Sequence, residues 1–180
     1  MNNNERINRL LQNGLPPSSI ESEKCLLGSI MINPKVLDDI YWNYFSADAF
    51  FKMAHKTIFV LMLEAKEKNG TLKLRDFHKL LEEKKLLEAI GGSDALIDIV
   101  ESNPSGAEAE VYASFVMDAY ARRKAIQIAG DILLGAQQKD IDISTTLDEA
   151  NEKIEELLYD DSDFSVFVDI FQKKKKEANK

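Results

Sequence analysis

The sequence predicts an all-α protein: a small globular helical body, then an antiparallel helical hairpin, then a short linker helix. Three observations carry this. Apolar residues recur at three- and four-residue spacing along most of the chain, the period of a helix that buries one face. Pro, Gly and Asn clusters cut the first half into short segments, ending at Asn103-Pro104-Ser105-Gly106, the strongest turn cluster. Beyond it, residues 107–134 run on with no breaker except Gly130, and a second periodic stretch follows.

Gly14-Leu15-Pro16-Pro17 is the first punctuation, so residues 1–14 are expected to be a flexible arm and 15–103 the globular subdomain. Ser18 and Glu21 have capping-box spacing and predict a helix with Ile20, Leu27, Ile30 and Met31 near one face. Asn33-Pro34 ends it and is expected to start a second helix. Ser46 predicts a short helix through Phe50. From Met53 to Lys68, Ile58, Leu61, Met62 and Ala65 share a face widened by Phe59 and Leu63, which predicts a central core helix closed by Asn69-Gly70. Leu72-Lys73-Leu74 reads as briefly extended. Leu74, Phe77, Leu80 and Leu81 pattern a helix ending near Gly91-Gly92, and Ser93 is expected to cap one containing Leu96, Ile97 and Val100.

The hairpin is expected over 104–160. At about 1.5 Å rise per residue, its first helix exceeds the diameter of a compact small domain. Tyr112, Phe115, Val116, Ala119, Ile126, Ala129, Ile132 and Leu133 are its apolar positions, and Ala119, Ala125, Ala129 and Gly130 permit close approach of another backbone. After a loop from Gln137 to Ser144, Thr146 and Glu149 repeat the capping-box spacing. Leu147, Ala150, Ile154, Leu157 and Leu158 then form a narrow heptad-like stripe. Two helices bury only the seam between them, so the hairpin is expected to pack on a copy of itself or on a partner. Residues 161–180 hold the linker helix and a basic tail; Phe164, Phe167, Val168 and Phe171 fall at i, i+3, i+4 and i+7, an apolar face that either marks an interface or folds back on the body of the same chain.

Composition excludes several functions. The formal net charge is −8, which opposes binding to a phosphate backbone, so little direct DNA binding is expected. Lys173-Lys174-Lys175-Lys176 is the one dense basic run and reads as a solvated tail. No apolar run is long enough for a membrane span, the polar start Met1-Asn2-Asn3-Asn4 is no signal peptide, and the single Cys25 cannot pair internally; the expected location is cytoplasmic. Two histidines, His55 and His78, and one cysteine do not make a zinc site, and Cys25 and His55 read as structural. No G-x-S-x-G, Walker loop or G-x-G-x-x-G occurs, so no catalytic residue, metal or cofactor is expected. The carboxylates read as solvated polar faces.

The order of motifs resembles a family. Pro16-Pro17-Ser18-Ser19-Ile20-Glu21-Ser22-Glu23, followed by Leu26-Leu27-Gly28-Ser29-Ile30-Met31, is similar to the opening of DnaB-type replicative DNA helicases. Phe50-Phe51 with His55 and Ile58-Phe59 looks like the family's next segment, and Gly91-Gly92, Asn103-Pro104-Ser105, Tyr112-Ala113 with Val116, and Arg122-Arg123 follow in its order. The resemblance runs from about residue 15 to 160. It implies the N-terminal helical domain and linker helix of such a helicase, whose ATP-driven motor would follow Lys180 unless the chain is a natural short relative. It implies pairing through hairpins into a collar of three pairs on a hexameric ring, and recruitment of a DnaG-type primase. A helicase loader is a further candidate partner. Interface residues implied are Tyr112, Phe115, Ala119, Ile126, Ile132, Leu147 and Ile154, with Phe164, Phe167, Val168 and Phe171 docking on a neighbouring subunit's motor. The stretch Gly106 to Val111 departs from the family's usual polar segment, which puts the start of the hairpin in question. Two other readings stand beside this one: a free-standing regulator that joins and inhibits a host helicase ring, and a nucleic-acid-binding accessory factor using the lysine run.

Overall fold

A computed structural model of the chain describes residues 16–38, 45–69, 73–103, 105, 108–140 and 142–158. The described residues form six α-helices and no strand: α1 (Ile20–Ile32), α2 (Met53–Asn69), α3 (Leu74–Glu83), α4 (Gly92–Ser102), α5 (Ala109–Gln137) and α6 (Ile143–Leu158). Single 3-10 turns at Pro34–Asp38, Ala47–Ala49 and Glu88–Ile90 punctuate them. The N-terminal arm, the linker helix with its four docking residues, and the lysine run lie outside the described residues.

The first half packs around α1 and α2. Leu26, Leu27 and Ile30 of α1 meet Ile58, Phe59 and Met62 of α2, all fully buried, with Phe77, Leu81 and Leu96 closing the core. Phe45, Phe50 and Phe59 stack edge-on and tilted at 5.2–5.7 Å between ring centres, which fixes the loop leading into α2. The predicted face Ile58, Leu61, Met62 and Ala65 is buried; Leu63 is turned outward beside Val60, so α2 buries one face and not its whole girth.

Several local expectations are corrected. The Ser18–Glu21 capping box does not form: Ser19 occupies the cap, its carbonyl accepts the Glu23 N–H, and its hydroxyl donates to Ser22 Oγ. Pro34 starts a 3-10 turn, not an α-helix, with Val36 N–H on the Asn33 carbonyl. Ser46 does cap, its Oγ accepting the Asp48 N–H, but of a 3-10 turn. α3 ends at Glu83, well before the glycines. Lys85 takes the left-handed conformation (φ 57°) and the Leu86 N–H closes back on the Leu81 carbonyl, a Schellman-type stop made without glycine. Gly91 (φ 102°) makes the same closure for the next turn, with the Gly92 N–H on the Leu87 carbonyl, and thereby caps α4 in place of Ser93. Leu96 and Ile99 are the residues α4 buries, and Ile97 is half exposed.

α1 and α4 approach closely at Gly28. A β-carbon there would sit 2.4 Å from the Ile99 carbonyl oxygen and 3.0 Å from Ser102 Oγ. Around this crossing, Asn103 Nδ2 donates to Ser29 Oγ at 2.6 Å, Cys25 Sγ faces the Ser102 carbonyl at 3.5 Å, and Lys24 pairs with Asp98 at 2.7 Å. Cys25 is thus half-buried at a helix crossing, less enclosed than its apolar neighbours suggested.

α5 has 29 residues, about 43 Å of continuous helix. Its first half belongs to the body: Ala109, Ala113, Val116 and Met117 join the common core, and Tyr112 and Tyr120 lean on it. Its second half belongs to α6. Asp131 pairs with Lys153 at 2.8 Å, and Gly135 lies against Thr146; partners recede along α5 as α6 advances, so the two helices are antiparallel. Extended along α6, that register brings Leu158 level with the middle of α5. The Asn103-Pro104-Ser105-Gly106 cluster separates the elements in sequence, but the packing changes only near residue 123.

The Thr146–Glu149 capping box is also not formed. Asp142 opens α6, its Oδ1 accepting the Ser144 N–H and its carbonyl the Thr145 N–H, which places Thr146 inside the helix and buries it in the seam. A Cβ on Gly135 would come within 2.5 Å of Thr146 Cγ2 and Oγ1, and 3.0 Å of its Cβ. Since the Cβ of threonine cannot rotate away, Gly135→Val should force the helices apart. Amide exchange along α6 is expected to accelerate at least about tenfold, a loss of roughly 1.4 kcal/mol, with α1–α4 unaffected. Unchanged exchange in α6 would disprove that tight seam.

Candidate protein-interaction surface

The distal half of α5 and α6 together expose far more apolar surface than their seam buries. Ile128, Thr146 and Ala150 are buried. Ile128 lies on the stripe of Asp131 and Gly135, at i+3 and i+7, which touch α6. The Thr146–Ala150 pair is a narrow strip of small side chains. Outside it, Ile143, Leu147 (51% exposed), Ile154 and Leu158 fall at i, i+4, i+11 and i+15 along one edge of α6. On α5, Phe115, Ile126 (54%) and Leu133 fall at i, i+11 and i+18, with Ala129 between the last two. Leu134 is the most open of all at 61%. Patches of this kind on a helix pair mark contact with another molecule.

The predicted interface residues divide. Phe115, Ile126, Leu147 and Ile154 are exposed, and Ile132 is half-buried beside the seam. Tyr112 is half-buried against the body core, and burial, reinforced by nearby Cys25, pushes its phenol above the usual range. Ala119 is buried. Leu134 and Ile143 were not among the expected interface residues; Ile143 lies one turn before Leu147 on the same edge, whereas Leu134 follows Gln127, Gly130 and Asp131 and continues no apolar stripe.

The charged residues frame this surface. Arg122 grips Asp118 one turn away with two bonds, Nε–Oδ2 2.7 Å and Nη2–Oδ1 3.2 Å, on the Phe115–Ile126 stripe. The hydrogen bond from Lys153 to Asp131 holds the ammonium above its ordinary value, though both ends are about half exposed and such pairs add little stability. Opposite the apolar edge, Asp148, Glu149, Glu152, Glu155 and Glu156 are exposed.

Two polar clusters in the body deserve a chemical reading. Glu23 is a carboxylate 1% exposed, contrary to the expectation that carboxylates lie on solvated faces. It accepts hydrogen bonds from the Phe51 N–H (2.7 Å) and Lys52 N–H (3.3 Å) and meets His55 Nδ1 at 2.7 Å. Three contacts thereby join α1 to the start of α2, so the cluster is a structural clamp. The second is Ser93–His78–Glu82. His78 Nε2 lies 2.9 Å from Ser93 Oγ, but its Nδ1 is 3.6 Å from Glu82, beyond hydrogen-bond reach. Without that bond the trio is no proton relay, and it serves to tie α3 to α4. Among the described residues no group of three or more His, Cys, Asp or Glu is placed to hold a metal ion, and no helix is long and apolar enough to cross a membrane.

A family model described as the DnaB-like helicase N terminal domain matches residues 15–118, more than half of the chain. The chain belongs to the DnaB-like helicase N-terminal domain family. Replicative DNA helicase DnaB of Synechocystis is 31% identical over 140 residues, covering 78% of this chain and 16% of the relative. DnaB of Pasteurella multocida is 32% identical over 146 residues, covering 81% and 31%. The chain therefore spans a third or less of the length of these relatives. Among solved structures, the N-terminal domain of DnaB helicase from Mycobacterium tuberculosis superposes with a TM-score of 0.70 at 20% identity, covering 78% of this chain and 98% of that one. A DnaB-like replicative helicase, described together with its interactions with primase, superposes at 0.61 with 22% identity, covering 84% of this chain and 34% of that one. These neighbours share the fold. The two segments at the head of the motif order, ending at Glu23 and containing His55, are the ones the buried clamp joins.

Proposed function

We propose that this chain is a non-catalytic collar module of a replicative DNA helicase, which organises the ring and recruits a DnaG-type primase. Residues 15–103 form its globular part, 104–160 its hairpin, and 1–14 and 161–180 its flexible arm and linker with basic tail. The observation that carries this reading is the exposed apolar edge on a helix pair too thin to need it, in a chain of this family. The hairpin self-associates through Phe115, Ile126, Ile132, Leu147 and Ile154, helped by Leu133, and pairs of chains build the hexameric collar. Tyr112 and Ala119 act from beneath, by seating the hairpin on the body. Phe164, Phe167, Val168 and Phe171 dock on the motor of a neighbouring subunit, a helicase loader is a further partner, and the setting is the cytoplasm.

The test is the oligomeric mass of the full chain by light scattering across a concentration series, with Ile126→Asp and Leu147→Asp together as the variant. The unaltered chain is expected to exceed monomer mass, and the variant to return to it with its thermal midpoint within about 2 °C, since both positions face water. A monomer at every concentration in the unaltered chain would defeat the assembly reading. Failure of immobilised primase to retain the folded chain would defeat the recruitment reading.

A further inference from the structure

One residue stands where α5 passes from the body to the hairpin. Arg123 extends back from the middle of α5 and donates to two backbone carbonyls on separate parts of the body: Nη1 to Pro17 at 2.9 Å, and Nη2 to Ala49 at 2.6 Å. Its guanidinium also lies over the rings of Phe51 at 5.6 Å and Tyr120 at 5.8 Å. Ala49 closes a 3-10 turn, whose free carbonyls favour a cation, and Phe51 is the residue whose N–H is held by Glu23. The group is half-buried; burial draws its pKa below the ordinary arginine value, while the Glu23 carboxylate opposes that pull.

Three features give this contact a role beyond cohesion. α5 gives the common core Ala109, Ala113, Val116 and Met117, Ala119 is buried and Tyr120 half-buried just beyond them, and the next buried position, Ile128, lies on the α6-facing stripe. α6, by its register, reaches back only to this level. Among the described residues, the hairpin beyond is therefore held to the body chiefly by one continuous helix and by what Arg123 grips.

We infer that Arg123 is a positioning residue that sets the pitch of the hairpin on the body, and so the direction in which the apolar edge is presented. The planar fork of arginine reaches both carbonyls at once; a lysine ammonium is a point charge that satisfies one and leaves the hairpin free to swing. Its consequence for assembly rests on the collar reading; the pitch itself does not.

The experiment measures the distance distribution between spin labels at Lys79 on α3 and Glu152 on α6, in full-length chain carrying Cys25→Ala. Labelled protein is diluted in unlabelled chain so that only intramolecular pairs are seen. The Arg123 chain is expected to give one narrow distribution. Arg123→Lys should shift its mean or roughly double its width while far-UV helicity and the core melting transition persist. Phe51→Leu, which removes a ring from beneath the guanidinium, should broaden it less. A broad distribution in the Arg123 chain, or one that Arg123→Lys leaves unchanged, overturns the proposal. So does loss of helicity in Arg123→Lys, since Arg123 would then hold the fold and not the pitch. None of these outcomes depends on whether the chain oligomerises or binds primase.

Discussion

Replacing Glu23 with alanine is expected to destabilise the chain by about 3–5 kcal/mol, a fall of roughly 10–15 °C in the thermal midpoint. The cavity is the smaller part of this. Removing the carboxylate takes the partner from the buried ring nitrogen of His55 and from the part-buried N–H groups of Phe51 and Lys52, and each buried donor without a partner costs about 1–3 kcal/mol. Glu23→Gln separates the two effects. It keeps the shape but turns one acceptor into a donor, so one of the three partners loses its bond, and about half of the loss should remain. His55→Ala should cost less than Glu23→Ala, and the double variant less than the sum by at least about 1 kcal/mol, because the two share one bond. Midpoints for Glu23→Ala within about 2 °C of the unaltered chain would show that water reaches the clamp.

Gly28→Ala should be the other severe change, and its sign is set by two opposed effects. Alanine within a helix gains about 1 kcal/mol over glycine. Against this, the new carbon would meet the Ile99 carbonyl oxygen at 2.4 Å, a backbone atom that no rotamer change can remove. α1 and α4 must part, which costs about 1–3 kcal/mol in overpacking and loosens the Asn103–Ser29 bond at the same crossing. A net loss of up to about 2 kcal/mol is expected from chemical denaturation, and a gain would show that the helices have room. Gly130 provides the internal control. A β-carbon there meets nothing within 4 Å, so within this chain the same substitution keeps only the helix gain.

These two positions show what the sequence could and could not disclose. α5 was legible because 29 residues without proline, interrupted only by Gly130 and Gly135, leave little alternative to a helix. The apolar faces of α1 and α2 were legible because burial imposes its period on them. Glu23 was not, since a carboxylate in a helical sequence reads as solvated until the Phe51 and Lys52 N–H groups are brought to it from about thirty residues away. Gly28 looks like a defect in a good helix until α4 crosses it. The caps misled by small shifts in register: Ser19 displaced Ser18, and Asp142 displaced Thr146, because serine, threonine and aspartate compete for one task and local spacing does not rank them. Lys85 stops α3 in a conformation where a glycine would be sought. Of the residues expected on the hairpin's interface, Phe115, Ile126, Leu147 and Ile154 are exposed while Tyr112 turns to the body and Ala119 is buried, and the change of packing near Arg123 was invisible because it depends on where the neighbouring elements end.

The division of α5 at that line makes the chain a cantilever. About fifteen residues are clamped in the body and fourteen project past Arg123, a free length of about 21 Å. A rotation of only about 10° at the clamp, small enough to leave most core contacts in place, displaces the tip near Gln138 by about 4 Å over that length. Packed interfaces tolerate far less misfit than that. In the proposed collar, assembly at the tip thereby becomes a magnified readout of the body: slight loosening of the core, modest when measured as heat or denaturant, would reach the distal surface as a missed partner.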